Sequence, residues 1–301
     1  MGVVNRLAVC ALLGAWAACP ARAAERGRKV FVSVDMEGIA GVVTSDQLGP
    51  QGFEYERFRQ FMTNETLAAI EGARAAGATE FVVADSHGNG QNLLVERFAK
   101  DTRIVRSWPR PLGMMEGLDA TFDAVLFVGY HASTVNPQGV RAHTFSSATL
   151  ADVRLNGTSV TEAAFNAAIA GHFGVPVVMI SGDDAFVKEA RTVMPDAEAA
   201  AVKSAVSFHA AATLTPEAAC DLIREKAKRG VERARQVKPW KIGEPVTLEL
   251  RFKNYRPAQL LAYLPIVEQT DAHAIRFKGR DILEVSRFLE FVTNYEPGLS
   301  P

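Results

Sequence analysis

Short apolar runs alternate with amphipathic stretches from residue 29 to about residue 195. Four runs have the continuous apolar character of a strand that is covered on both faces, at residues 30–34, 80–84, 124–128 and 176–180. Amphipathic helices are predicted over 55–76 and from about residue 161 onward. This alternation predicts an α/β fold with a mostly parallel, Rossmann-like sheet and helices on both of its faces, in three layers.

Beyond about residue 195 the pattern changes and predicts a second, smaller α+β unit. Strands are expected at 199–202, 246–252 and 274–277, and helices at 216–237, 259–264 and 281–293. We therefore predict an α/β domain over residues 28–195 and a smaller α+β domain over residues 196–301. A hairpin at 146–160, with Asn156-Gly157 as its turn, is compatible with either domain.

The first 23 residues have the pattern of a secretory signal peptide. Arg6 provides a short positive start, residues 7–18 are apolar, and Ala21-Arg22-Ala23 fits a small-x-small cleavage site. The apolar run falls short of the roughly 20 residues that span a bilayer, so a retained membrane anchor is the weaker interpretation. The sequence therefore predicts an exported, periplasmic protein with no membrane attachment after cleavage.

Composition and charge narrow the range of partners. The chain has 301 residues, of which 48% are hydrophobic and 22% are charged, so it can bury a sizeable core. Its net charge is −1 and it has no tract rich in Lys or Arg, which argues against nucleic acids and charged membrane surfaces as partners. The sequence also lacks nucleotide-binding glycine motifs and a Gly-x-Ser-x-Gly elbow. We expect a small partner.

Cysteine chemistry is not expected. Cleavage after Ala23 would remove Cys10 and Cys19 and leave Cys220 as the remaining thiol, so no disulfide could form within one mature chain. Cys220 lies in a predicted helix with no catalytic partner nearby in sequence. We predict a structural role for it.

Metal-binding side chains follow three of the predicted strands. Asp35 and Glu37 come after the first strand, His87 after the second, and His131 after the third. Because the carboxyl ends of parallel strands open onto one edge of a sheet, these side chains are expected to converge. Carboxylates and imidazoles without cysteine favour Zn²⁺ over Ca²⁺ or Mg²⁺. Such a set could bridge a pair of ions that activate water.

Each of these residues also has a structural interpretation. Asp35 could cap a helix, and the two histidines could be hydrogen-bonded inside the core. Gly182-Asp183-Asp184 also follows an apolar strand and is a reserve candidate, although an aspartate there could simply begin the next helix. Structural roles are expected for the remaining histidines, His172, His209 and His273.

Two further residues are candidates for the same site. His143 lies on a loop that leaves the end of the third strand, so it could fold back over that end. Glu162 lies in the first turn of a helix, and Ser159-Val160-Thr161-Glu162 matches a capping box in which the glutamate bonds back to the backbone. From the residues alone, a capping role and a ligand role for Glu162 both stay open.

Four segments, in their order and spacing, resemble the zinc-dependent D-aminopeptidases of the DppA type. They are Ser33-Val34-Asp35-Met36-Glu37-Gly38-Ile39, Asp85-Ser86-His87, Gly129-Tyr130-His131-Ala132 and Gly182-Asp183-Asp184. The resemblance covers essentially the whole mature chain. It implies two zinc ions per subunit, held by the residues at the family's ligand positions, Asp35, Glu37, His87, His131 and Glu162. It thus favours the ligand role for Glu162, and we expect Asp35 to bridge the two ions.

The resemblance also implies a catalytic residue and an assembly. His143 matches the family's catalytic histidine, which has been described as a nucleophile. Because zinc already activates water, we favour a role as general acid/base or oxyanion stabiliser. Family members are homodecamers of two stacked rings whose active sites face an internal chamber. The present chain departs from the family pattern in its signal peptide and in one extra residue between His131 and His143.

We therefore expect an exported zinc-dependent aminopeptidase that acts on short peptides or amides with an N-terminal D-amino acid, D-alanine being the family's typical product. One alternative is an exported zinc- or peptide-binding protein without hydrolytic activity. Another is a metallo-amidohydrolase for other small amides or for L-peptides, because the sequence does not reveal the chirality that a pocket selects.

Overall fold

The computed structural model describes residues 1–2 and 27–295 of the protein. The predicted signal peptide, residues 1–23, therefore lies almost entirely outside the described residues. None of the helices within residues 27–295 combines the length and the apolar character that a membrane crossing requires.

The described residues form twelve strands and six α-helices. The strands are β1 (Arg28–Val34), β2 (Ala78–Asp85), β3 (Thr102–Val105), β4 (Ala124–Tyr130), β5 (Leu150–Leu155), β6 (Thr158–Ser159), β7 (Val177–Asp183), β8 (Glu198–Ser207), β9 (Ala210–Thr213), β10 (Val246–Phe252), β11 (Val267–Asp271) and β12 (Ala274–Gly279). The helices are α1 (Tyr55–Ala75), α2 (Glu162–His172), α3 (Asp184–Ala190), α4 (Pro216–Glu232), α5 (Tyr255–Leu261) and α6 (Ile282–Asn294). The four long apolar runs correspond to β1, β2, β4 and β7.

Seven strands form one sheet in the order β3-β2-β1-β4-β7-β8-β9. Neighbouring strands are parallel except for β8 and β9. Strands β2 and β3 are added in turn on one side of β1, and β4 then pairs with the other side of β1. The topological switch therefore lies between β1 and β4, where sheets of this kind bind ligands. The predicted α/β architecture is confirmed.

The two faces of this sheet bury different apolar layers. On β1, Val30, Val32 and Val34 belong to the layer formed with α1 and α4, whereas Phe31 belongs to the opposite layer. That opposite layer includes α2, α3 and the inner face of a second sheet. Burial on both faces explains why residues 30–34 of β1 are apolar apart from Ser33.

The second sheet is antiparallel, in the order β11-β12-β10-β5-β6. It contains the predicted hairpin, because β5 and β6 pair across a turn at Asn156 and Gly157. The φ angles of these two residues are 49° and 83°, as the two-residue turn favoured by this dipeptide requires. Helices α5 and α6 pack on the second sheet.

Strand pairing does not follow the predicted boundary after residue 195. Strands β8 and β9 come after that boundary, yet they extend the large sheet beyond β7, and α4 packs against α1. The hairpin comes before the boundary but belongs to the second sheet. The apolar pattern of a strand shows which face is buried and not which strand lies beside it, so the position of the boundary could not be derived from it.

Some element ends also differ from the predicted ones, for local reasons. Helix α5 begins at Tyr255 and not at residue 259, because Asn254 caps it by accepting the amide of Arg256 at 3.0 Å. Helix α4 ends at Glu232 and not at residue 237. The sequence pattern predicts no strand at β3, β9 or β11, which are short and contain few fully buried residues.

A carboxylic acid is buried within the helical layer. Glu65 on α1 is 1% exposed, its Oε1 accepts the amide of Ala40 at 2.9 Å, and its Oε2 has no hydrogen-bond partner among the described residues. Burial raises the pKa of Glu65 to about 7, and the Ala40 amide and the charge of Lys203 oppose this rise only in part. Between the ordinary value of 4.5 and about 7, the folded protein keeps a proton that the unfolded chain has released. Folding stability therefore falls as the pH rises through this window.

We expect Glu65→Gln to be more stable, relative to the wild type, at about pH 7.5 than at about pH 5. Glutamine keeps an acceptor for Ala40 and removes the ionisation that costs stability above pH 5. Over the full pH range between 4.5 and about 7, the cost of ionising Glu65 amounts to roughly 3 kcal/mol of unfolding free energy. Urea unfolding of both proteins at the two pH values measures the change, and a difference that does not vary with pH would contradict the argument.

Candidate metal centre

The segment after β1 is held against the end of β4. The amide of Asp35 donates to the carbonyl oxygen of Val128 at 2.8 Å. Gly38 passes so close to β4 that a Cβ there would lie 2.0 Å from the carbonyl oxygen of Tyr130, so only glycine fits. Asp35 and Glu37 are therefore fixed at the topological switch of the sheet.

Asp35 lies between two histidines. Its Oδ1 is 3.2 Å from Nδ1 of His87, which follows β2, and its Oδ2 is 3.1 Å from Nε2 of His131, which follows β4. Oε2 of Glu37 is 2.9 Å from Nδ1 of His87. Oε1 of Glu162 is 3.5 Å from Nε2 of His131. The structure thus brings together all five predicted ligand residues, with Asp35 in the middle.

His143 joins the cluster from the loop that leaves β4. Its ring stacks on that of His131, with the ring centroids 4.1 Å apart. Its Nε2 lies 3.8 Å from Oε1 of Glu162 and 4.0 Å from Oε1 of Glu37. The loop therefore returns to the strand end from which it departs.

Glu162 does not form the capping box that its sequence permits. The N-cap of α2 is Thr161, whose hydroxyl oxygen accepts the amide of Ala164 at 2.9 Å. Oε1 of Glu162 instead accepts the amide of Phe145 at 2.6 Å and faces the cluster. Because the helix end is capped without it, the carboxylate of Glu162 is available to the site.

Each of the three histidines places one ring nitrogen on a backbone carbonyl and turns the other toward the carboxylates. The carbonyl partners, at 2.7, 3.0 and 2.8 Å, are those of Leu48 for Nε2 of His87, Ala132 for Nδ1 of His131 and Arg141 for Nδ1 of His143. A carbonyl oxygen only accepts, so in the neutral ring this nitrogen carries the proton and the other directs its lone pair at the cluster. Metal-binding histidines are oriented in the same way.

The electrostatics of the cluster favour positive charge. Burial alone would lower the pKa of His87, but Glu37, with help from Asp35, raises it well above its usual range. Burial also opposes the charged form of His131, and Glu162 together with Asp35 raises its pKa well above the usual range. Burial would raise the pKa of Glu37, yet His87 holds it well below its usual range. The site therefore attracts positive charge, either as protons on the imidazoles or as a metal ion.

The donor atoms of the cluster fit a divalent cation. Among the described residues, three buried atoms of the cluster have no hydrogen-bond partner: Asp35 Oδ2, Glu37 Oε2 and His131 Nε2. Two overlapping sets of ligand atoms each lie within 4.8 Å of one another. The first set comes from Asp35, Glu37 and His131, and the second from His131, His143 and Glu162. Buried nitrogen and oxygen lone pairs at this spacing suit zinc or another borderline metal.

Other residues that the sequence singles out do not join the cluster. Asp183 accepts the amides of Phe186, at 2.6 Å, and Val140, at 2.8 Å, so this reserve candidate caps α3. Cys220 is half-buried on α4, and burial raises the pKa of its thiol to about 11, which fits a structural role. The remaining histidines lie at the end of α2 (His172), beside Arg141 (His209) and between β11 and β12 (His273).

A buried lysine supports the segment that carries Glu37. Nζ of Lys203 on β8 donates to the carbonyl oxygens of Glu37, Ile39 and Val42 at 2.5, 3.0 and 2.7 Å. Burial lowers the pKa of Lys203 to about 8, although Asp183 and other nearby carboxylates oppose this. Its three partners are 161 to 166 residues away in sequence, so no local pattern indicates this role.

Comparisons with known proteins agree with the motifs and the geometry. A family model described as D-aminopeptidase matches residues 28–291. This chain belongs to the D-aminopeptidase family. A D-aminopeptidase of Bacillus subtilis (strain 168) is 35% identical over 269 residues, which cover 88% of this chain and 96% of that protein. A solved structure, described as Zn-dependent D-aminopeptidase DppA from Bacillus subtilis, a self-compartmentalizing protease, matches with a TM-score of 0.84 and 34% identity, over 88% of this chain and 96% of that chain.

We expect Lys203→Met to destabilise the protein by about 3 kcal/mol, because three buried carbonyl groups lose their shared donor. Lys226→Met is the matched control. Lys226 lies on α4 and pairs with Glu198 at 3.8 Å near the surface, so its loss should cost less than about 1 kcal/mol. Urea unfolding of both variants measures the difference, and equal losses would show that Lys203 has no special supporting role.

Proposed function

We propose that this chain is a zinc-dependent aminopeptidase that hydrolyses short peptides or amides with an N-terminal D-amino acid, D-alanine above all. The observation that carries the proposal is the set of three histidines, each fixed by a backbone carbonyl and each turned toward buried carboxylates. Membership of the D-aminopeptidase family supports the reaction class, and the description of the Bacillus subtilis structure as Zn-dependent supports the metal.

In this proposal the cluster holds two zinc ions per subunit. The residues that would hold these ions are Asp35, Glu37, His87, His131 and Glu162. The two oxygens of Asp35 face different histidines, which suits a carboxylate that bridges two ions. Glu37 and His87 would complete one side, while Glu162 and His131 would complete the other.

His143 is the proposed general acid/base. Zinc, when bound, supplies a Lewis acid that activates water for attack on the peptide carbonyl. The Nδ1 proton of His143 is donated to the carbonyl oxygen of Arg141, so Nε2 is free to accept a proton from the attacking water and to return it to the leaving amine. Stacking on His131 keeps the ring in this orientation. A nucleophilic role for His143 is then unnecessary.

The cluster opens into a cavity of about 440 Å³, a volume that suits a short peptide. Besides the metal-centre residues, its walls include Trp108 and three residues of α6, namely Glu290, Thr293 and Asn294. A cavity of this volume accommodates two or three residues of a peptide. This supports short peptides as the substrate class.

We further propose that the enzyme is exported to the periplasm and assembles as a homodecamer. Export rests on the pattern of residues 1–23. Assembly rests on the family resemblance and on the description of the Bacillus subtilis structure as a self-compartmentalizing protease. Large apolar side chains exposed on and just after α5 would be covered in such an assembly, namely Tyr255, Leu260, Tyr263 and Ile266.

We expect the purified protein to contain zinc and to cleave dipeptides that begin with D-alanine faster than the matched L-dipeptides. Metal analysis and a chiral panel of dipeptides, assayed with zinc present, measure both properties. Chelation should abolish turnover and added zinc should restore it. Zinc binding without cleavage of any peptide would favour an exported binding protein, and a preference for L-peptides would keep the enzyme class and change the substrate.

We also expect His131→Ala to lose bound zinc, whereas His143→Ala should keep zinc and lose turnover by about 10²- to 10⁴-fold. His131 faces carboxylates on both sides of the cluster, while His143 approaches them only to 3.8 Å or more. His172→Ala, at the far end of α2, is the control and should alter neither property. Equal metal loss in the first two variants would make His143 a ligand.

A further inference from the structure

The cavity above the metal centre is lined, among the described residues, by four carboxylates and by one Lys or Arg side chain. Four carboxylate side chains line it, Asp35, Glu37, Glu162 and Glu290. Of the described residues that line it, Arg141 is the one with a Lys or Arg side chain. Three of these carboxylates, Asp35, Glu37 and Glu162, are proposed metal ligands whose charge a bound metal would offset. Beyond the metal centre, Arg141 is thus the lining Lys or Arg side chain that can pair with a free carboxylate of a peptide.

The backbone of Arg141 adopts an uncommon conformation. Its φ angle is 55°, in the left-handed region that side chains other than glycine rarely occupy. Its amide donates to the carbonyl oxygen of Phe208 at 2.9 Å, and its own carbonyl oxygen accepts from Nδ1 of His143 at 2.8 Å. These two bonds hold Arg141 in place beside the proposed acid/base. Conformations of this kind cluster where a side chain must be aimed at a functional site.

The guanidinium of Arg141 is anchored on one side only. Its Nη1 donates to Nε2 of His209 at 3.1 Å, and the group lies over the ring of Phe208, 5.6 Å from the centroid. Its Nε is buried and has no hydrogen-bond partner among the described residues. The group is therefore oriented by the tip of the β8–β9 hairpin and still has donors to offer. A planar fork of donors is the arrangement that binds a carboxylate best.

We propose that Arg141 binds the terminal carboxylate of the substrate and thereby makes dipeptides with a free carboxylate the preferred substrates; this rests on the proposed aminopeptidase function. Consecutive Cα atoms are about 3.8 Å apart, so the carboxylate of a dipeptide lies about one residue beyond the scissile bond. Arg141 lies two residues before His143 in the sequence, and His143 is the proposed acid/base for hydrolysis of the scissile bond. A longer peptide would carry its carboxylate past Arg141, and an amide would carry no charge for it.

A purely structural role for Arg141 makes a different prediction. If the side chain only ties the His143 loop to the β8–β9 hairpin, its loss would lower the rate of hydrolysis of every substrate to the same extent. If it binds a carboxylate, its loss would slow substrates with a free carboxylate more than those without one. The ratio of the rate for substrates with a free carboxylate to the rate for substrates without one distinguishes the two roles. General damage to the loop lowers both rates equally and leaves this ratio unchanged.

The experiment compares D-Ala-D-Ala with its C-terminal amide. In the wild type, kcat/KM should be higher for the free acid. In Arg141→Met the ratio of kcat/KM for the acid to that for the amide should fall by about tenfold to a hundredfold, mainly through KM. Arg141→Lys keeps the charge without the fork, so it should retain part of the ratio. Lys253→Met removes a cation whose Nζ bonds the carbonyl oxygen of Ser147 on the cavity wall, and should leave the ratio at its wild-type value.

Binding provides a second measurement that needs no turnover. Calorimetric titration of the zinc-loaded His143→Ala protein should show at least about tenfold tighter binding of D-Ala-D-Ala than of its amide. The double variant with Arg141→Met should bind the two equally. An unchanged ratio in Arg141→Met, or equal binding of acid and amide before that change, would overturn the proposal. A carboxylate preference in binding, together with no cleavage by the wild type, would refute the aminopeptidase function and leave the role of Arg141 intact.

Discussion

The metal centre depends on the position of β1, which pairs with β2 on one side and with β4 on the other. Val34 lies opposite Asp85 and Val128 in these two pairings, so the three strands end at nearly the same level. The residues that follow each strand then meet above one edge. No single strand could assemble this cluster, because carboxylates from one strand end must meet histidines from its two neighbours.

Buried charge is tolerated here because each charged group meets a group of opposite charge. The carboxylates and imidazoles shift one another's pKa values: the pKa values of His87 and His131, which lie on either side of Asp35, rise well above their usual range, and that of Glu37 falls well below its own. Lys203 places a cation beneath the backbone of the same segment. Removing any one partner would leave an uncompensated charge or dipole in a dry environment, which costs far more than the pair contributes. The arrangement is therefore specific as well as stable.

Much of this could be predicted from the sequence, because the relevant signals are local. Apolar runs identify the central strands, and ligand-type residues directly after them identify the edge of the sheet. Glu162 was ambiguous from its local sequence, since only the structure shows that Thr161 caps the helix. Lys203 and Arg141 could not be found in this way, because their roles depend on partners far along the chain or on a backbone angle. The pairing of β8 with β7 could not be predicted for the same reason, because it joins strands whose local patterns do not specify their neighbours.

The long sequence separation between Lys203 and its partners also bears on the order of folding. The segment with Glu37 is synthesised well before the lysine that holds its carbonyls, which follows 166 residues later. Loop closure over such a distance is slow compared with the formation of local helices. The segment that carries the first ligands is thus fully supported only when the sixth parallel strand has joined the sheet. A chain that stops short of β8 would still hold this segment against β4 but would lack the lysine beneath it, so tight capture of metal would report that β8 has joined the large sheet.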